Sequence, residues 1–553
     1  MNSVYIAIFT FIACFLGYKF YGDFIARLFD IDYNKITPAH KHRDNVDYIP
    51  ANHWTILFGH HFASIAGAGP ILGPVIAAAL WGWVPALIWL VLGSIFLGAV
   101  HDFSSLIASL RHKGKSIAAV AESTLGYRTK LIFAAFLWLT LILVIAVFAA
   151  VAADTLATKP EVVIPTFGII VVALLVGFLI YYLKVNQILA TVIGIGSLFL
   201  LIMAGYKYPV VVNPFHIGSF LIEPSQFWLI ILLVYAYIAS VMPVNILLQP
   251  RDYLSTFVLF FGLLLGYVGL FISRPDISTP AFVAWDSSKG WLWPMLFVIV
   301  ACGAISGFHS LIASGTTAKQ LASKRDAKKI GYGGMILESV LAVLALLCVT
   351  AGLKWKGAGL NLNYPELLSK EGWIITFGAG FGQIVSPLIK ASLGTLIAIT
   401  ILKTFIMTTL DSATRITRYL SEELFADGLK LKIFYNKYFN TLVIVLVSAW
   451  LAFGRYRNIW PVFGAANQLV AALVLIVISA YLFSLNKPKR YTLIPAVFML
   501  ATTIGALLFL LKDFYKKKLV LLFSVDILLL VLVVFMISEA IKYIRRKELK
   551  VNV

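Results

Sequence analysis

Charge is scarce in this chain. Asp, Glu, Lys and Arg make up 13% of its 553 residues, about half the share that a soluble domain normally carries. Cysteine is scarcer: Cys14, Cys302 and Cys348 each lie inside an apolar run, with no CxxC pair, which excludes a disulfide framework and a thiolate metal site. There is no HExxH, so the usual zinc-hydrolase signature is missing. No ten-residue alternation of apolar and polar side chains recurs, and a transmembrane barrel cannot present a lipid-facing side without it. The 45 Lys and Arg outnumber the 25 acidic residues, but they are scattered through short loops with no binding module between them, which argues against a nucleic-acid partner.

What is present is hydrophobic. The chain is 61% hydrophobic with a mean hydropathy of +0.92, and its apolar runs have helix-spanning length. In lipid every backbone polar group must be satisfied internally, so these runs are expected to be helices of a polytopic membrane protein. They number about fifteen, near 4–20, 56–78, 82–108, 131–153, 165–183, 187–206, 228–249, 255–273, 292–315, 332–353, 391–410, 439–453, 461–484, 492–511 and 519–544. The first has no basic start, and Gly17-Tyr18-Lys19 is a poor cleavage site, so it reads as a retained helix rather than a signal peptide. Loops on one side hold 29 of the 45 Lys and Arg and loops on the other hold 14. Positive residues mark the cytoplasmic face, placing the N-terminus outside and the C-terminal "KYIRRKELK" inside; "KDFYKKK" at 512–518 is the one loop that disagrees. The net charge of +20 then belongs to topology and to anionic lipid headgroups.

Two spans interrupt themselves. "HHFASIAGAGPILGP", His60 to Pro74, places Gly67, Ala68, Gly69 and Pro70 where a helix should continue, and "LVYAYIASVMPVNILLQP" places Met242, Pro243 and Asn245 in a second run at a similar depth. Five spans separate the two starts, so loop charge makes them run in opposite senses. Paired discontinuous helices of inverted topology point to a secondary transporter with its site near the midplane, and the LeuT-type fold of two inverted five-helix units is the pattern they fit. The expected organisation is an extra helix and cytoplasmic loop over 1–53, a first unit over 54–206, a second over 228–410, a cytoplasmic interfacial region over 411–438 and further spans over 439–553.

Polar side chains at membrane depth supply candidate roles. His61 and Ser64 lie on one small polar face before the first break, and Ser306 and Ser310 form a hydroxyl stripe in "VACGAISGFHSLIASGTTAKQ"; these line the expected substrate site. A carboxylate within a span is a functional candidate by default, and a histidine titrates close to neutrality, so His101, Asp102 and His309 are expected to carry protons. Lys403, read as over a turn and a half from the cytoplasmic end of its span, joins them as a buried cation. Glu338 and Asn467-Gln468 read as packing, Asp411 as the N-cap of a cytoplasmic helix, and "WIITFGAGFGQIVSPLI" as an external re-entrant segment or lid. A different class of reading takes His60, His61, His101 and Asp102 as zinc ligands of an intramembrane hydrolase; neighbouring histidines on one helix chelate poorly. A starvation sensor without transport lacks a sizeable output domain.

Several long blocks carry a family resemblance. "HFASIAGAGPILGPVIAAALWGW", "GSIFLGAVHDFSSLIASLRHKGKSIA", "CGAISGFHSLIASGTTAKQL", "TTLDSATRITRYL" and "FGAANQLVAAL" resemble the carbon starvation protein CstA family of bacterial inner-membrane transporters, over about residues 54 to 470. The resemblance implies nutrient import, with peptides and pyruvate as associated substrates and proton symport as the energy source. Sodium coupling is the alternative, and neither requires a cofactor. A carboxylate held at a helix end suits pyruvate and peptide alike, and the sequence leaves the oligomeric state open.

Overall fold

The computed structural model describes residues 1–356 and 363–551. Among these, twelve helices are long and apolar enough to cross a membrane, or thirteen when a bent pair is taken as one span. In chain order they are α1 (Ser3–Leu28), the bent pair α2 (Trp54–Ile65) and α3 (Gly69–Trp81), α4 (Trp83–Arg111), α5 (Tyr127–Thr158), α6 (Pro160–Ile180), α7 (Gln187–Lys207), α8 (Pro224–Val241) and α9 (Leu248–Ser273). Two short helices follow, α10 (Leu292–Ile299) and α11 (Gly307–Ile312). The latter is extended by a wide turn at Ala313–Thr317 and by Ala318–Gln320. Then come α12 (Lys324–Gly352), the loop helix α13 (Tyr364–Ile384) and α14 (Ala391–Gly428).

The helical stretch Lys437–Ser484 contains two apolar segments, α15 (Lys437–Phe453) and α16 (Val462–Ser484). Its ends share one face of the protein: Asn440 donates to the Arg418 carbonyl, and Lys487, just past the other end, pairs with Asp30 at 3.6 Å. α17 (Arg490–Lys516) and α18 (Leu522–Tyr543) complete the bundle. Beyond helices there are two hairpins, Phe215–Ile217 with Phe220–Ile222 and Asp286–Ser287 with Gly290–Trp291.

Contacts between loops sort the bundle into two faces. On one, Arg111 bonds the Asp30 carbonyl, Val244 N–H bonds Val46, Ala51 N–H bonds Gln320 and Ser116 meets Glu423. On the other, Ile277 N–H bonds Met1, Trp83 N–H bonds Pro280 and Val210 N–H bonds Pro160. The first set joins the Lys/Arg-rich loops and is the cytoplasmic face.

The first expected break is present. α2 ends at Ile65, Ala66 leaves the helical region at ψ 57°, and Gly67 N–H turns back to the Ile65 carbonyl at 2.8 Å. α3 restarts 41° away with Pro70 in its first turn, where a missing N–H costs nothing. The second expected break is corrected. Met242, Pro243 and Asn245 fall in a turn between two complete helices, the 18-residue α8 and the 26-residue α9. The charged "QPRD" at 249–252, which resembles a loop, is interior to α9 because Arg251 and Asp252 are neutralised by partners on other helices. The second interruption lies instead at 300–306, between α10 and α11. Asp411 is likewise not a helix cap: α14 runs through it unbroken, and residues 411–421 are buried helix.

Candidate functional site

The two interruptions meet. A Cβ on Gly69 would come within 2.3 Å of the Cys302 sulfur, and one on Gly73 within 2.8 Å of the Ile299 carbonyl. Glycine is what lets the start of α3 lie against the 300–306 segment. Here a cavity of about 360 Å³ opens, lined by Gly69, Ala301, Cys302 and Asn467 at the breaks, by Ser287 and Lys289 of the second hairpin, and by Asp513 and Lys517 at the end of α17. N–H groups in the first turn of a helix have no intrahelical partner, and the positive end of the α3 dipole faces this space.

Each break has its own plug. At the first, Thr408 and Thr409 of α14 donate to the Ala63 and Ser64 carbonyls at 2.6 and 3.1 Å, and Ser64 shares a hydrogen bond with Ser412. These hydroxyls satisfy the carbonyls that α2 leaves free. At the second, the Asn467 carbonyl oxygen accepts from Phe308 N–H at 2.8 Å and from Ser306 Oγ at 3.2 Å, while the Gln468 amide donates to Ile305. Trp89 donates to Val300. Asn467 therefore caps the start of α11, Gln468 satisfies a carbonyl of the break, and both do more than pack. Ser306 is the residue before α11, and Ser310 donates back to Gly307 within that helix.

Behind the cavity lies a chain of titratable groups. His101 Nδ1 is 2.8 Å from one Asp102 oxygen, His309 Nδ1 is 3.0 Å from the other, and His309 Nε2 is 3.4 Å from Glu338. All four side chains are fully buried. Both Glu338 oxygens and the outer nitrogens of His101, His309 and His61 have no hydrogen-bond partner. The chain touches the breaks, since the His309 ring lies beside the Ile65 backbone and Cys302 is within electrostatic reach of Glu338 and Asp102. His101, Asp102 and His309 are thus brought together as expected. Glu338, read from sequence as packing, belongs with them; a lone Glu mid-span was the available signal.

A second buried network was not anticipated. His60 Nδ1 bonds Asp252 at 2.6 Å, Asp252 accepts from Arg251 at 2.7 Å, and Arg251 reaches Asp411, which also accepts from Tyr235 at 2.7 Å. His61 instead shares a bond with Thr317. Two other expectations are not met by the geometry. Lys403 is remote from the His–Asp chain: its ammonium donates to the Ala152 carbonyl, twelve residues into α14 from the external side. The four ligands of the zinc reading are split, with His60 on Asp252, His61 on Thr317 and His101 on Asp102; among the described residues no group of three His, Cys, Asp or Glu could hold a metal.

The cytoplasmic end is closed by a clamp. Asp47 accepts from Arg415 at 2.6 Å and Arg418 at 3.0 Å. Arg415 also donates to the Ala239 and Met242 carbonyls, so Met242, Pro243 and Asn245 are part of this closure and not of the cavity. Burial pushes the Asp47 carboxyl upward, but the Arg418 and Arg415 guanidiniums and the Lys319 ammonium outweigh it and hold it well below the usual carboxylate range.

Most of the chain matches a known family. The profile described as carbon starvation protein CstA covers residues 2–356 and 358–506. The chain belongs to the carbon starvation protein CstA family. Relatives include the peptide transporter CstA of Bacillus subtilis, 32% identical over 98% of this chain and 97% of that one. The peptide transporter CstA of Escherichia coli is 32% identical over 92% and 81%, and the pyruvate/proton symporter BtsT of the same organism is 29% identical over 92% and 81%. A solved Eremococcus coleocola manganese transporter superposes with a TM-score of 0.50 at 11% identity, over 90% of this chain and 98% of that one, and shares the fold. This CstA-family member is a multi-pass transporter of the bacterial inner membrane and not an enzyme.

Proposed function

We propose that the chain imports small carboxylates or short peptides by proton symport, alternating access around the crossing of its two interrupted spans. The observation that carries this is the junction of an outward-opening cavity at both breaks with the buried chain Asp102–His309–Glu338 behind it. A solute carboxylate sits at the N-terminal end of α3. The chain contains two carboxyl groups and no permanent cation, so electroneutrality in a low-dielectric interior requires it to hold protons. In the conformation described, the external path is open and the Asp47 clamp shuts the cytoplasmic one.

The architecture we infer is a LeuT-like pair of inverted five-helix units, over 54–207 and 292–484. Each opens on an interrupted span, in opposite senses, followed by a long unbroken one, α4 or α12. Counting the bent pair, the segment 292–320 and Lys437–Phe453 brings the twelve spans to fifteen. The proton reading is favoured over sodium because hydroxyls of α14 already occupy the free carbonyls of α2. The test is uptake of labelled pyruvate and of di- and tripeptides into proteoliposomes under imposed pH or sodium gradients. Accumulation driven by protons in the native chain and lost in Asp102→Asn is expected; sodium-driven accumulation indifferent to pH would overturn it.

A further inference from the structure

The His60–Asp252–Arg251–Asp411 network lies between the Asp102–His309–Glu338 chain and the cytoplasmic clamp. Its residues come from four elements: His60 from α2, Tyr235 from α8, Arg251 and Asp252 from α9, and Asp411 from α14. The four charged or titratable members are at most 1% exposed. Two carboxylates against one guanidinium leave one negative charge in the bundle. The next cations along α14, Arg415 and Arg418, are engaged by Asp47. Lys319 stands 3.2 Å from the Tyr419 ring centroid, and Glu422 and Glu423 complete the neutrality of that clamp. An unpaired buried charge is strongly unfavourable, so the network is neutral only with one proton. His60, 2.6 Å from Asp252 with its other nitrogen 3.1 Å from Thr316, is where an imidazolium is met by a carboxylate on one side and a hydroxyl on the other. Asp411 also keeps one buried oxygen without a partner.

The two buried networks are joined in register. His60 meets Thr316 as His61 meets Thr317, two adjacent pairs on facing segments, and His61 is the neighbour of His309 in electrostatic reach. Resting on the proton-symport reading above, we propose that the His60–Asp252 pair carries a second transported proton, distinct from that of the Asp102–His309–Glu338 chain. On release the His60 N–H bond breaks, an O–H bond forms on cytoplasmic water, and the network passes from neutral to one negative charge. That charge faces Arg251 and Tyr235 from α9 and α8, and Arg415 one turn further along α14. Release therefore requires the clamp to open, because Arg415 ties the 239–242 backbone across the exit.

The measurement is the proton-to-solute ratio, read from reversal potentials in proteoliposomes with labelled pyruvate or labelled dialanine. The native chain is expected to move two protons per solute. Asp252→Asn and His60→Gln are each expected to move one while still accumulating solute against its gradient, and Asp252→Glu to restore two. His60→Gln keeps a hydrogen bond to Asp252 and serves if Asp252→Asn fails to reach the membrane. A ratio of one in the native chain, or of two in both variants, overturns the second site and leaves the symport reading standing. No response of the native chain to a proton gradient overturns both.

Discussion

At the scale of single residues, Glu338 and Lys403 show why depth in a span does not by itself assign a role. Both are fully buried and both are formally ionisable. Glu338 faces an unpartnered histidine nitrogen at 3.4 Å, whereas Lys403 is spent on a backbone carbonyl. Glu338→Gln keeps the shape and a polar contact to His309 but cannot exchange a proton. It is expected to leave solute exchange between equilibrated compartments within a factor of about three, while gradient-driven accumulation falls at least tenfold, about 1.4 kcal/mol of lost driving force. Counterflow and accumulation assays on the same vesicles separate these. Lys403→Met removes a donor from Ala152 without touching the chain, so thermal stability changes while the proton-to-solute ratio does not. A ratio altered by Lys403→Met would return it to the coupling machinery.

At the scale of elements, the crossing of α3 with the 300–306 segment depends on a missing side chain. Gly69→Ala puts a methyl 2.3 Å from the Cys302 sulfur and 2.6 Å from its Cβ, and overpacking of this kind costs about 1–3 kcal/mol. Removing the whole opposing side chain with Cys302→Gly in the same protein is expected to recover much of the loss, as a double-mutant cycle by thermal unfolding in detergent. Additive losses would mean that the two segments do not bear on each other.

The first of these breaks was legible in sequence because Gly67, Gly69 and Pro70 are backbone instructions. The second was not. It is written in ordinary residues, "VACGAIS", and is held open by Asn467 and Gln468, more than 160 positions away. Hydropathy chose "MPVN" instead because Arg251 and Asp252 imitate a loop, and their neutralising partners, Asp411 and His60, become visible only in three dimensions. The same cause hid the second network: a charge pair read one residue at a time looks solvated. His101-Asp102 and His309 were found because each is the titratable interruption of an otherwise uncharged run.

At the scale of the whole molecule, the Asp47 clamp sets which side is open. Removing one partner of a buried ion pair costs about 3–5 kcal/mol by stranding the other. Asp47→Asn strands Arg415 and Arg418 only while the cytoplasmic side is closed, so it shifts the population toward the inward-open form by a factor on the order of 10². All three cysteines are buried, and of them Cys302 is the one that lines the external cavity, which makes it a native reporter. Its modification by an impermeant thiol reagent applied from outside is expected to slow many-fold in Asp47→Asn and to be unaffected by Lys403→Met. The pH dependence follows from the depressed Asp47 carboxyl. The clamp's contribution is complete above the ordinary carboxylate pKa, about 4, and is lost only as pH falls through the still lower folded value. Between pH 5 and 8 the Asp47 carboxylate keeps one charge state, so its ion pairs with Arg415 and Arg418 should stay intact and the labelling rates of native and Asp47→Asn protein should stay apart across that range. Any pH response of transport there then arises outside the Asp47 ion pairs. A labelling ratio that collapses toward one near pH 6 would place the pH sensor in the clamp and remove the separation between gate and proton carriers.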